Sequence, residues 1–216
     1  MRSLQLGQVD KPHEDLSRRE RRNLRQRGEI LEAALKLFSE KGYHNVSMHE
    51  IAREAEFGIG TLYKFFTGKE DLYKALIREM AGKWYHIIMQ TLGQKKDPLR
   101  VIKEFVAVRS QLHYENLSLI RLYFAETGSA RLNVKAGLDQ EVLWLYDEGI
   151  EKLASVCERG VREKVFRALD PYHMALALDG IMNAFLFRII EDPARFGRDD
   201  NLSTATDIFL KGVLSK

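Results

Sequence analysis

Residues 47–72 most restrict the possible folds, because they combine short helical stretches with strong helix-start signals. Ser47 and Glu50 form one S-x-x-E capping box, and Thr67 and Glu70 form a second. Between the two boxes, the letters "EFG" interrupt the helical pattern and leave two short helices about three residues apart. A helix pair joined by so tight a turn predicts a helix-turn-helix unit.

The remaining sequence shows helical periodicity and almost no strand pattern, so we expect an all-α fold. A long helix from about Arg21 to Glu40, ended by Gly42 in a left-handed conformation, precedes the short pair, and a longer helix follows the second capping box. Further helices are expected at Pro98–His113, Asn116–Glu126, Val134–Arg162, Pro171–Glu191 and Leu202–Leu214. We predict three regions: an N-terminal basic arm (1–20), a three-helix helix-turn-helix DNA-binding domain (21–68) and a C-terminal helical domain (69–216).

Charge is concentrated near the start of the chain, although the net charge is only +3. Residues 16–27 hold six arginines against the single acid Glu20. The run has two interpretations: a basic arm along DNA phosphates or in a minor groove, which we favour, or a solvated flank of the first helix. The single Cys157 excludes an intramolecular disulfide. We see no signal peptide and no apolar run of about 18 residues, so we expect a cytoplasmic protein without a membrane partner.

The glycines at Gly58 and Gly60 raise the possibility of a nucleotide-binding loop, which the neighbouring residues exclude. A dinucleotide fingerprint needs a third glycine where this chain has Tyr63. A Walker loop needs glycine at that same position and Ser or Thr in place of Glu70. No HExxH or G-x-S-x-G pattern occurs, so we expect no catalytic residues, no metal and no cofactor.

The second short helix instead has the composition of a DNA-recognition helix. A small Gly60 allows a DNA backbone to approach, and hydroxyl and amine groups are common donors to phosphates and base edges. For Tyr63, a purely structural place in the core is the alternative. The predicted DNA-contacting residues are Arg25, Ser47, Met48, Ile59, Gly60, Thr61, Tyr63, Lys64 and Lys69.

The stretch "GYHNVSMHEIAREAEFGIGTLYKFFTGKEDLYKALI" resembles the N-terminal signature of the TetR family of transcriptional regulators. Two positions depart from that signature: Glu56 stands where the family usually has glycine, and Gly58 where it often has serine or threonine. The matching residues are Gly42, Ser47, Ile51, Ala52, Ala55, Gly60, Thr61, Leu62, Tyr63, Phe66, Lys69, Glu70 and Leu72.

The resemblance implies a homodimer that binds a double-stranded DNA operator, usually as a repressor released by a small ligand. It also implies that residues 69–216 form an effector-binding and dimerisation domain, whose last two helices form a four-helix bundle with those of a second copy. Helix 171–191 is the best candidate for the dimer surface, since small residues at four-residue spacing allow helices to approach closely; an intramolecular contact is the alternative. The candidate interface residues are Met174, Gly180, Ala184 and Phe187.

Aromatic residues in the C-terminal helices suggest a hydrophobic or aromatic effector, although aromatics at helical spacing can equally be plain core. The candidate effector-pocket residues are His113, Tyr114, Tyr123, Phe124, Trp144 and Asn183. Two competing functions remain: an enzyme, which the missing catalytic patterns disfavour, and a helical small-molecule-binding or adaptor protein without a DNA-reading role.

Overall fold

The computed structural model describes residues 17–127, 135, 137–192, 195 and 198–215, and only the backbone of residues 198–202. Within these ranges every regular element is a helix, and the one β pairing is an isolated bridge between Phe166 and Leu214, which confirms the all-α prediction. The helices are α1 (Arg18–Lys41), α2 (Met48–Glu54), α3 (Ile59–Phe65), α4 (Lys69–Leu92), α5 (Pro98–Glu115), α6 (Leu117–Thr127), α7 (Gln140–Arg162), α8 (Pro171–Glu191) and α9 (Arg198–Val213).

The chain divides into two compact units, and the boundary between Ala75 and Leu76 falls within α4. The N-terminal unit buries one apolar side of α1, where Ile30, Ala34 and Phe38 recur at four-residue spacing and are at most 1% exposed. Its short helices contribute fully buried residues to the same unit: Ile51 from α2 and Leu62 from α3.

Local cap chemistry sets several helix starts where the sequence predicted them. The hydroxyl of Ser47 accepts from the backbone N–H of Glu50, whose carboxylate accepts in return from the Ser47 backbone, so the first capping box is confirmed. The side chains of Asp97 and Asp170 cap α5 and α8, each one residue before a proline. Gly42 has φ 81°, as a glycine position requires, although its ψ of 147° differs from a left-handed helical cap.

The second capping box was predicted between Thr67 and Glu70, and this pairing is wrong. Thr67 donates from both its backbone and its hydroxyl to a carboxylate oxygen of Asp71, at 2.8 and 3.2 Å. Glu70 instead accepts from Lys74 at 2.5 Å, one turn further along α4. The acid four residues after the threonine therefore closes the start of α4, rather than the acid three residues after it.

The first helix begins at Arg18, not near Arg21. Ser17 and Glu20 form a capping box that the sequence analysis missed, and the arginines that follow favour helix. The arginine run from 18 to 27 is therefore helical rather than part of an extended arm. Residues 1–16 of the predicted arm, Val134 of the predicted 134–162 helix and most of the loop between α8 and α9 lie outside the described residues.

The core of the C-terminal unit is built from α5, α7, α8 and α9. Helix α8 combines one buried side with a mean hydropathy of 1.4 over 18 residues, so by length and composition it could cross a membrane. It is the one helix of the described residues that passes this test, which a core helix also passes. In this structure Met174, Leu178 and Met182 of α8 lie in the unit's core.

Candidate nucleic-acid interface and apolar cavity

The turn between α2 and α3 depends on two residues that differ from the family signature. Glu56 has φ 57°, in the left-handed region where most residues pay a steric cost. Gly58 is the N-cap of α3 and supplies no side-chain cap. The backbone N–H of Phe57 donates to the carbonyl of Ala52 at 2.9 Å, and Thr61 donates to Gly58 at 2.8 Å, which fixes the turn.

Helix α3 turns one side inward and leaves the other exposed. Leu62 is fully buried, whereas the neighbouring Tyr63 is 53% exposed, which excludes a core position for this tyrosine. Lys64 and Gly60 are exposed as well, and the space around the α-carbon of Gly60 is open. Ile59 and Thr61 are partly exposed and lie on the first turn.

The ammonium group of Lys64 is directed back towards the start of α1. Its Nζ donates to Oδ1 of Asn23 at 3.0 Å and lies 5.1 Å from the centre of the Phe65 ring. The contact joins the last turn of α3 to the arginine-rich part of α1. Within the N-terminal unit, the basic start of α1 and the exposed side of α3 are thus neighbours.

Two predicted DNA contacts have structural roles instead. Met48 is only 8% exposed, because the first turn of α2 directs it into the core of the unit. The Nζ of Lys69 donates to the carbonyls of Tyr43, Val46 and His44 at 2.8, 2.9 and 3.3 Å, and it lies 4.5 Å from the Tyr43 ring centre. Lys69 therefore holds the turn between α1 and α2 and has no spare N–H for a phosphate.

The other predicted contacts remain on the surface. Ser47 is exposed, but its hydroxyl already serves as the α2 cap. Arg25 is exposed and pairs with Glu29 at 2.7 Å, and this hydrogen bond raises the pKa of the guanidinium. Arg27 lies 5.4 Å from the centre of the Phe66 ring, which directs it across the unit rather than outward.

The C-terminal unit contains a cavity of about 180 Å³ between α4, α5, α6, α7 and α8, which is partly open to solvent. Its wall is mostly carbon, with Trp84, Phe105, Tyr123 and Phe124 among the aromatic residues. Of the predicted pocket residues, His113, Tyr123, Phe124 and Asn183 do line this cavity. Tyr114 lines a separate small space beside α8, and Trp144 is 44% exposed and lies 6.0 Å from the ring of Tyr85, so neither belongs to the wall.

A buried ion pair forms the polar part of the cavity wall. Nη1 of Arg109 donates to Oδ1 of Asp179 at 2.6 Å, and Nη2 donates to Oδ1 of Asn183 at 2.7 Å. The second carboxylate oxygen of Asp179 accepts from the hydroxyl of Tyr146 and from Nδ2 of Asn183, the latter at 2.9 Å. Burial, helped by the nearby Asp179 charge, raises the pKa of Tyr146, so its hydroxyl keeps its proton.

Sequence reasoning missed Arg109 and Asp179 as cavity residues. A signal for both was present, because each is a lone charge within an apolar helical stretch, "FVAVRSQL" in α5 and "MALALDGIMNAF" in α8. Buried charges are rarely found without a partner, so the two charges could have been paired with each other. Their separation along the chain gave no direct indication of that contact.

A stripe of small and apolar residues runs along the exposed side of α8. Leu176, Gly180 and Ala184 recur at four-residue spacing and are all exposed, and nothing lies within 4 Å of a Cβ added at Gly180. Phe187 is half-buried, with its ring centre 5.0 Å from that of Phe124. The prediction for Met174 is wrong, because this side chain is 3% exposed and packs in the core of its own chain.

Together, these features define a class: a helix-turn-helix unit with an exposed second helix, followed in the chain by a helical unit that contains an apolar cavity. Residues 30–76 match the family model described as bacterial regulatory proteins, tetR family. The resemblance found in the sequence is confirmed, and this segment belongs to the TetR family.

Similar proteins share part of the chain in sequence and nearly the whole chain in fold. The fatty acid metabolism regulator protein of Bacillus subtilis (strain 168) is 29% identical over 90 residues, which are 42% of this chain and 44% of that protein. The chain spans about half the length of the first curated relatives that it matches.

Two solved structures extend the likeness of fold to most of the chain. A transcriptional regulator of the TetR/AcrR family from Thermobifida fusca is 21% identical, with a TM-score of 0.72, over 87% of this chain and 98% of that one. FadR from Bacillus subtilis in complex with stearoyl-CoA is 17% identical, with a TM-score of 0.70, over 86% and 98% of the two chains. At these identities the likeness shows a shared fold.

Proposed function

We propose that the protein is a sequence-specific transcriptional regulator that binds a pseudo-palindromic operator as a homodimer and is released by a small hydrophobic or aromatic effector. The main support is the exposed side of α3, where Gly60, Tyr63 and Lys64 stand clear of the core. The match of residues 30–76 to the TetR family supports the same assignment. In this proposal the protein is a cytoplasmic repressor without enzymatic activity.

In this proposal α3 reads the bases and α1 binds the phosphates. In helix-turn-helix proteins, residues near the start of the second helix contact base edges in the major groove. Tyr63 and Thr61 supply hydroxyls for this purpose, and Gly60 leaves room for the DNA backbone. The exposed arginines 18, 19, 21 and 22 extend along the first turns of α1 and supply sequence-independent charge.

A gel shift with DNA from upstream of the protein's own gene, at a fixed salt concentration, tests DNA reading. Lys64→Ala should weaken operator binding or change base preference modestly, while Lys103→Ala on α5 removes the same charge from another exposed site and should leave binding unchanged. If both variants lost the same operator affinity, Lys64 would contribute only its positive charge and α3 would not read the bases through it. A failure of the unmodified chain to shift any of this DNA would count against the proposal and favour a helical adaptor or small-molecule-binding protein.

The salt dependence of operator binding tests the role of the α1 arginines separately. Each phosphate contact contributes about 0.9 to the slope of log affinity against log salt concentration. Replacing Arg21 and Arg22 with glutamine should therefore lower that slope by up to about 2 while leaving base preference intact. An unchanged slope would place these arginines away from the phosphates.

The exposed stripe of α8 is the proposed dimer surface. Gly180→Leu is compatible with the chain's own packing, because the space there is open, but it would hold a second helix away. Sedimentation should show weaker association for this variant, with weaker operator binding as a result. Gly82→Leu on α4, where the space is also open, is the matched control and should leave association unchanged.

The cavity is the proposed effector site. It is lined mainly by apolar side chains and contains a small number of convergent polar groups, as small-molecule sites commonly do. The fold shared with a protein solved with stearoyl-CoA supports binding of a hydrophobic effector by the C-terminal unit. Effector binding should lower operator affinity in the gel shift described above.

A further inference from the structure

We infer that the cavity selects a compact, electrically neutral and mostly apolar molecule, one or two rings in size, that carries a hydroxyl group bound by His113. The inference rests on the proposed function, because it takes the cavity as the effector site. It adds the size, charge and polar group of the ligand and names the residue that recognises them.

The volume of the cavity sets the size of the molecule. Its 180 Å³ is only slightly larger than an engineered protein cavity of about 150 Å³ that binds benzene. Sites for drug-sized ligands usually run from about 300 to 1,000 Å³. A one- or two-ring compound therefore fits the cavity as it stands, while most of a long acyl chain would have to extend out through its open side.

The buried ion pair determines the charge that the cavity accepts. The guanidinium of Arg109 and the carboxylate of Asp179 are in direct contact at 2.6 Å, so their charges cancel within the wall. Asp179 already accepts three hydrogen bonds, from Arg109, Tyr146 and Asn183. An anionic or cationic ligand would thus lose its water shell and find no counter-charge that is not already engaged, whereas a neutral ligand avoids this penalty.

His113 is a nearly fully buried polar group of the wall that is left for a ligand. Its side chain lines the cavity, the residue is 4% exposed, and its ring centre lies 5.4 Å from that of Trp84. Neither ring nitrogen forms a hydrogen bond to any residue that the structure describes. Since buried polar groups are nearly always hydrogen-bonded, a partner entering the cavity is the natural complement.

The protonation state of His113 determines which polar group suits it. Burial, together with the positive charge of Arg109, lowers the pKa of the imidazole well below 6.5, so the ring is neutral near pH 7. A neutral imidazole carries one N–H donor and one acceptor nitrogen. A hydroxyl both donates and accepts, so it can bind whichever nitrogen faces the cavity.

Calorimetry with four probes of one shape tests the inference on the unmodified chain: 4-ethylphenol, ethylbenzene, 4-ethylbenzoate and 4-ethylbenzylamine. We expect 4-ethylphenol to bind about tenfold more tightly than ethylbenzene. A tenfold difference in affinity corresponds to the net free energy of about one hydrogen bond. The anion and the cation should bind at least tenfold more weakly than the phenol. Equal binding of phenol and ethylbenzene, or tightest binding of the benzoate, would overturn the inference.

The variant His113→Phe tests whether His113 causes the preference for 4-ethylphenol over ethylbenzene. Phenylalanine keeps an aromatic ring against Trp84 but removes both nitrogens, so 4-ethylphenol should lose about tenfold while ethylbenzene binds as before. A variant that keeps the phenol preference would contradict the role of His113. If this variant does not fold, His113→Gln retains hydrogen-bonding groups and should preserve part of the preference.

The same protein preparation also separates this inference from the proposed function. If the chain shifts its upstream DNA but binds none of the four probes, the ligand class is wrong and the regulator proposal stands. If the chain prefers 4-ethylphenol but binds no DNA, the cavity is a ligand site in a protein of another function.

Discussion

Replacing Asp179 with asparagine should strongly destabilise the C-terminal unit, because it leaves the Arg109 guanidinium buried without a counter-charge. Both side chains are almost fully buried, at 10% and 8% exposure. Asparagine has nearly the same shape, so the change creates no cavity. Its amide nitrogen, however, would face two hydrogen-bond donors, the Tyr146 hydroxyl and the Asn183 amide.

The expected magnitude follows from the burial of this pair. Breaking a buried ion pair by removing one partner typically costs about 3–5 kcal/mol, since the other charge stays desolvated. In a chain of this size each kcal/mol corresponds to about 2–4 °C, so the melting temperature should fall by roughly 6–20 °C. Thermal unfolding followed by circular dichroism would measure that shift directly.

Two further variants separate lost charge pairing from other causes. Asp207→Asn removes an exposed carboxylate on α9, which pairs with Lys211 at 2.7 Å, and should change stability by less than about 1 kcal/mol. Arg109→Met combined with Asp179→Leu replaces the pair with apolar side chains and should recover most of the loss. The reasoning would be refuted if Asp179→Asn melted like the unmodified protein, or if the double variant were no more stable than that single one.

Three other changes test local features of the fold. Gly160→Ala should destabilise by about 1–2 kcal/mol despite the better helix propensity of alanine, because the added Cβ would lie 2.1 Å from the buried ring of Phe166. Glu56→Gly should stabilise by up to about 1 kcal/mol, because it relieves the φ of 57°. Hydrogen bonds from the Ser47 backbone, from a lysine and from the Ser47 hydroxyl lower the pKa of Glu50 from 4.5 to about 2, so α2 should lose this stabilisation as the pH falls from about 4.5 towards 2.

Each of these predictions has a matched control. Gly149→Ala, in the same helix as Gly160 but with open space around it, should stabilise by up to about 1 kcal/mol. Glu32→Gly in the middle of α1 should cost about 1 kcal/mol, opposite in sign to Glu56→Gly. For the acid transition, Glu50→Gln should flatten the pH dependence of urea unfolding over that range. An identical pH profile would contradict the cap's role.

The features that the sequence predicted well are those that depend on neighbours along the chain. Capping by Ser47, Asp97 and Asp170 needs only residues within one turn, so the cap and the helix start could be recognised together. The capping box at Ser17 obeys the same local rule. The sequence did not predict it, because an arginine run such as the one that follows is typical of a basic arm as well as of a helix.

The direction in which a side chain points could not be obtained in the same way. Met48 and Lys69 both stand within motif positions that predict a nucleic-acid contact, yet one packs in the core and the other binds three carbonyls of a distant turn. A lysine at the start of a helix can reach a phosphate or a neighbouring loop with similar ease. The choice depends on where the α1–α2 turn lies, which spacing along the chain does not encode.

The cavity shows how far periodicity can carry such an inference. Phe105, Arg109 and His113 follow one another at four-residue spacing on α5, so they share one side of that helix, and all three line the cavity. An apolar side interrupted by an arginine and a histidine indicates a buried polar site, because such groups are rarely buried without a partner. The partner of Arg109 lies on α8 and could be inferred only by matching it with the lone acid there. The histidine has no such match among the described residues, which is the reason to look for its partner in a bound molecule.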